Sequence, residues 1–162
     1  MLFRSVNAVK SSRWKKVAEA LDQSRQLLEA TLAGDEEAVA HGVDIAHDEH
    51  TSILSYNNEN SLACVLSIAY YAAKGDYIIH REMPTGKGFA DLVLIPRKNV
   101  DKPAVVLELK YDKSVDAAIN QIHRKNYPTK LAQYTGDILL VGINYDRQTK
   151  VHTCRIETFT LS

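Results

Sequence analysis

The stretch from Gly86 to Lys110, GKGFADLVLIPRKNVDKPAVVLELK, constrains this chain more than any other. FADLVLI, ending at Pro96, and AVVLELK read as two strands joined by the polar turn KNVDKP. Their Val, Leu and Ile content is that of a buried sheet. Asp91, Glu108 and Lys110 interrupt this apolar material. Strand side chains alternate faces, so Glu108 and Lys110 share one side while Leu107 and Leu109 share the other. Desolvating an unpaired carboxylate costs about several kcal/mol, so a sheet keeps one only beside a partner charge or a metal. Two readings follow from these residues: a structural Glu108–Lys110 ion pair with Asp91 in a turn, or a functional carboxylate site.

The flanking sequence alternates helical and strand periodicities. Ser12 to Leu32 predicts an amphipathic helix, with Ser11 and Ser12 as caps and Trp14, Val17, Ala18, Leu21, Leu28 and Leu32 as its stripe. Gly34 and Asp35 break it, and a weaker helix runs through Val39, Val43 and Ala46. His47-Asp48-Glu49-His50 matches neither HExxH nor HxxEH, so it is read as a solvated polar turn rather than a metal site. From Asn60, SLACVLSIAYYAAKG repeats apolar residues at helical spacing until Gly75. Glu59 falls on that helix's buried face at its N-terminal end, where the helix dipole favours a carboxylate. A place in a cleft at the sheet edge fits it equally.

DYIIHRE (76–82) reads as a strand and MPTGKG as the turn into the Asp91 strand. A phosphate loop there would need Gly at the position of Arg81 and Ser or Thr at that of Gly88, so the match fails. After Lys110, Ser114 is placed to cap a helix with Val115, Ala118, Ile119 and Ile122 as its stripe, and Pro128 is expected to kink or break it. DILLVGIN is a continuous apolar run, the signature of a strand covered on both faces. Strand, helix and strand in that order predict parallel strands with a right-handed crossover. DRQTK then turns the chain into a last strand, VHTCRIETF.

Composition narrows the class. The 162 residues suffice for a real core, and 45% hydrophobic with 25% charged residues is ordinary for a soluble globular chain. Lys plus Arg (20) equals Asp plus Glu (20), so any nucleic-acid site must be a local patch. Cys64 and Cys154 stand far apart and outside any CxxC, which points to reduced thiols in the cytoplasm. The N-terminal apolar run is too short for a signal peptide. The longest apolar stretch, near Leu62–Ala73, falls short of the ~20 residues that span a bilayer.

The order helix, three strands, helix, two strands resembles the PD-(D/E)xK nuclease superfamily from roughly Tyr56 to Phe159. Asp91 matches the first acid of that motif, and Glu108-Leu109-Lys110 its (D/E)xK. Glu59 matches the acid that many members carry on the first core helix, and Gln121, Lys125 and Tyr127 match a Q-x-x-x-K-x-Y element. Ala90 stands where the motif has Pro, which supplies no metal ligand. YNNENSLA, PTGKGFADLVLIPR, ELKYDKS, AINQI and ILLVGINYD resemble the nuclease-like domain at the C-terminus of bacterial AAA-ATPase-like proteins. Phe3–Gly34 is similar to the helical linker that follows the ATPase module there. That module is not in this sequence, which the resemblance leaves as a truncated gene product, a stand-alone relative or a fragment.

The resemblance implies an α/β, restriction-endonuclease-like mixed-sheet core (α-β-β-β-α-β-β) over residues 56–162, with a helical extension over 1–55. It implies Mg²⁺ or Mn²⁺ held by Asp91, Glu108 and the Leu109 carbonyl, the oxygen donors such ions take. Lys110 would then position the attacking water, and Glu59 would hold a second ion or orient a water. Gln121 would position substrate or ligands, and Lys125, Tyr127 and Lys87 are the candidate substrate contacts. Two functions stay open: metal-dependent hydrolysis of DNA or RNA, and a non-catalytic module of the same fold serving an AAA-ATPase-like partner.

Overall fold

The computed structural model describes residues 2–50, 59–82, 91–125, 131 and 136–160, with the backbone alone for 2–11, 50, 59–63, 82 and 91. Helix α1 spans Leu2–Ala33, α2 Glu36–His50 and α3 Glu59–Ala69, followed by a 3-10 turn at Tyr71–Gly75. Then come β1 (Tyr77–Glu82), β2 (Asp91–Pro96), β3 (Ala104–Tyr111), α4 (Val115–Lys125), β4 (Asp137–Asp146) and β5 (Val151–Thr160). The described strands form one sheet in the order β1-β2-β3-β4-β5. Among the described strand pairs only β3–β4 is parallel, with α4 as its crossover. This is the expected mixed α/β architecture.

Two apolar layers hold the sheet. On one face Leu92, Leu94, Val105, Leu107, Leu109, Leu139, Val141 and Ile143 pack with residues of α1, α2 and α3. On the other, Val93, Ala104, Val106, Ile138 and Leu140 pack beneath Ile119 and Ile122 of α4. The continuous apolar runs of β3 and β4 are explained by this double coverage.

Helix α1 starts at Leu2 rather than at Ser12, so Ser11 and Ser12 lie within the helix and not at its start. No Gly or Pro precedes them to stop the helix, and serine is tolerated in a helix interior. The break after α1 falls where expected. Gly34 adopts φ 73°, Asp35 N–H donates to the Ala30 carbonyl at 2.9 Å, and Gly34 N–H donates to Thr31 at 3.1 Å. This is a Schellman termination, which glycine accommodates without a Cβ clash. Asp35 then caps α2, its carboxylate accepting the Ala38 N–H at 3.1 Å.

The sequence expectation for His47–His50 is corrected: these residues form the last turn of α2. His47 follows Val39 and Val43 at four-residue spacing, which carries it onto the helix's inner face, where it is buried. Its ring lies 5.0 Å from that of Tyr145 and 5.5 Å from that of His152. Helix α2 also closes the outer edge of the sheet. Glu36 accepts the Ile156 N–H, and Asp44 accepts the His152 N–H, each at 2.9 Å. Edge N–H groups left open would template pairing with other chains.

Burial pushes the pKa values of both His47 and His152 below the ordinary histidine value, although Asp44, 2.6 Å from His152 Nδ1, opposes the shift for His152. A lowered folded-state pKa means that the unfolded chain takes up protons first on acidification. The stability from these groups is therefore complete above the unfolded pKa of about 6.5 and is lost as pH falls through the lower folded values. Urea melts at pH 7.5 and pH 5.0 are expected to show a lower midpoint at pH 5.0. An equal or higher midpoint there would mean that Asp44 holds His152 protonated in the fold.

Candidate active site

Pairing of β2 with β3 sets Asp91 directly opposite Glu108, as part of a register that also aligns Leu92 with Leu107 and Val93 with Val106. Asp91 is thus the first residue of a strand, not a turn residue. Across the parallel pair, Glu108 stands beside Gly142 and Lys110 beside Asn144. Glu108 and Lys110 follow Ala104 and Val106 on the sheet face covered by α4.

Glu108 is 0% exposed and Lys110 is 3% exposed. Neither Glu108 carboxylate oxygen has a hydrogen-bond donor among the described residues. Lys125 Nζ stands 3.8 Å from Glu108 Oε2, close enough for attraction and too far for a hydrogen bond. The sequence paired Glu108 with Lys110 as one of its readings; the described ion partner of Glu108 is Lys125, at the far end of α4. Strand periodicity alone cannot reveal a partner supplied by another element.

Local structure aims α4 at the site. Ser114 Oγ accepts the Ala117 N–H at 3.0 Å, as a cap. Asp116 occupies the first turn and His123, Arg124 and Lys125 the last, an arrangement favoured by the helix dipole. The connection from β3 is tied to β4: Asp112 N–H donates to the Tyr145 carbonyl at 2.8 Å, and Lys113 N–H donates to Asn144 Oδ1 at 2.9 Å. Glycine at 142 lets the helix approach. A Cβ there would meet the Val115 carbonyl at 2.9 Å, Ala118 Cβ at 3.0 Å and Ile119 Cγ1 at 3.1 Å. Gln121, half-buried, precedes Lys125 by one turn and shares its side of the helix.

Helix α3 packs through Leu66 and Ala69 on the sheet face opposite Glu108, and Glu59 is its first residue. Tyr127, Lys87, the MPTGKG turn and Pro128 lie outside the described residues. Among the described residues, no three His, Cys, Asp or Glu side chains are grouped to hold a metal ion. The side chains of Glu59 and Asp91 are not among those described. Glu82 belongs to no motif in the sequence, yet β1 pairing sets it opposite Asp91. Its only signal was its place at the end of the strand preceding Asp91.

The family model for the PD-(D/E)XK nuclease superfamily matches residues 57–154, more than half of the chain. The chain belongs to this superfamily. No curated protein matches it. The matched span includes α3, all of β1–β4 and α4, and with them Glu59, Asp91, Glu108, Lys110, Gln121 and Lys125. PD-(D/E)XK nucleases generally use divalent metal ions, and the five-stranded mixed sheet flanked by helices is their restriction-endonuclease-like fold. Among the described residues, no helix is long and apolar enough to cross a membrane.

Proposed function

We propose that this chain hydrolyses phosphodiester bonds of nucleic acid with Mg²⁺ or Mn²⁺. The observation that carries the reading is the Glu108 carboxylate: fully buried, with no hydrogen-bond donor for either oxygen among the described residues, and opposite Asp91 in the register. A carboxylate in that condition, with the Lys125 ammonium 3.8 Å away and beyond hydrogen-bond reach, fits a hard cation, because burial without hydrogen bonds is strongly unfavourable. Asp91, Glu108 and the Leu109 carbonyl would hold the ion, and Glu59 would hold a second ion or orient a water. When bound, a divalent ion supplies positive charge to the phosphate and lowers the pKa of a water.

The chain's own residues do the rest. Lys110, on the face of Glu108, positions the water and stabilises charge developing on the phosphate oxygens. Lys125 offsets the Glu108 charge from the α4 side and, with Gln121, Tyr127 and Lys87, contacts substrate. Residues 56–162 form the nuclease-like unit and 1–55 its helical extension. The free thiols of Cys64 and Cys154 fit a cytoplasmic location.

Thermal melts with millimolar Mn²⁺, on the parent and on Glu108→Gln, test this reading beside a panel of DNA and RNA substrates. Ligand binding to the folded state stabilises by about 2.7 kcal/mol at one hundred times Kd. The parent is expected to melt higher with Mn²⁺ and to cleave, and Glu108→Gln to do neither. A melting temperature indifferent to Mg²⁺ and Mn²⁺ would remove the metal site. Metal binding without cleavage of any substrate would favour the rival reading, a non-catalytic module for an AAA-ATPase-like partner.

A further inference from the structure

The pairing of the first three strands places three acidic residues in one row. Glu82 ends β1 opposite Asp91, and Asp91 begins β2 opposite Glu108. Neighbouring strands run about 4.8 Å apart, so these positions follow one another across the sheet. Like charges directly opposite each other destabilise a strand pair.

The third member of the row supplies an independent observation. Both Glu108 oxygens are buried and accept no hydrogen bond among the described residues, and the Lys125 ammonium remains 3.8 Å away. Buried acceptors in that state call for a partner, and a hard cation is one that carboxylates take. Mg²⁺ and Mn²⁺ take oxygen donors, and Asp91 with Glu108 fills only part of such a shell.

We propose that Glu82 is a third acidic contributor to this cation site, resting on the metal-dependent reading of Asp91 and Glu108. β1 delivers it from the strand before the motif, so it belongs to neither the first acid nor the ExK element. The row then trades metal-free stability for cation affinity. Neutralising Glu82 relieves repulsion in the absence of metal and weakens the hold on the ion when metal is present. An acid kept for a structural ion pair would behave in the opposite way on the first count.

Calorimetric titration of the full chain with Mn²⁺, on the parent, Glu82→Gln and Asp91→Asn, with metal-free melts of each, tests the proposal. Glu82→Gln is expected to weaken Mn²⁺ binding about tenfold, the low end for a supporting residue of a metal site. Its metal-free melting temperature is expected to equal or exceed the parent's, and Asp91→Asn to lose measurable binding. Parent-like Mn²⁺ affinity in Glu82→Gln, with binding lost in Asp91→Asn, would exclude Glu82 and leave the metal site intact. A metal-free melting temperature below the parent's would assign Glu82 to a structural ion pair and overturn the proposal. A parent that binds no Mn²⁺ would overturn it together with the metal-dependent reading.

Discussion

Lys110→Met is expected to give a folded protein that still binds Mn²⁺ and cleaves nucleic acid about 10²–10³-fold more slowly, the range for removing one group that stabilises transition-state charge. Methionine nearly matches the lysine stem in length and removes the ammonium, so packing at this 3%-exposed position is largely kept. Removing one partner of a buried ion pair ordinarily costs about 3–5 kcal/mol, because the other charge is stranded. Here Lys125, 3.8 Å from Glu108 in the parent, is untouched by the substitution, so the carboxylate is expected to keep a cation nearby. An interaction made mainly in the transition state changes rate more than binding. Single-turnover cleavage, Mn²⁺ titration and a thermal melt on one preparation separate these effects. Cleavage at the parent rate would remove Lys110 from the mechanism. A collapse in melting temperature would make it a structural partner of the carboxylates.

Gly142→Ala is expected to destabilise the fold by about 1–3 kcal/mol through overpacking, or roughly 2–4 °C in Tm for each kcal/mol at this chain length. The added methyl would lie 2.9 Å from the Val115 carbonyl, a backbone atom in the first turn of α4 that cannot rotate away. Relief requires α4 to lift from β4, which moves the helix carrying Gln121 and Lys125. The substitution is therefore expected to weaken Mn²⁺-dependent cleavage as well, although Gly142 touches no substrate. Denaturant melts in metal-free buffer check the first effect. An Ala variant as stable as the parent would mean that α4 is loosely seated.

Much of this was legible in the sequence because it depends on local periodicity. The apolar run of β4 signalled a strand covered on both faces, and the order strand, helix, strand predicted the parallel pair with its crossover helix. Gly34 and Asp35 marked the end of α1 because a left-handed backbone and a capping carboxylate are one-residue properties. Asp91, Glu108 and Lys110 stood out as charges inside apolar strands, which the cost of desolvation makes conspicuous wherever it occurs.

The tertiary structure decided what no local pattern encodes. The run His47–His50 looked polar by composition, yet its position four residues after Val43 turned His47 inward once α2 had a sheet to pack on. Lys125 met Glu108 because α4 crosses back over β3, a distance in space that the sequence separation does not report. Glu82 came beside Asp91 only when β1 paired with β2. Side-chain periodicity is set by neighbouring peptide units, whereas register and helix seating are set by long-range pairing and by close approaches such as that at Gly142.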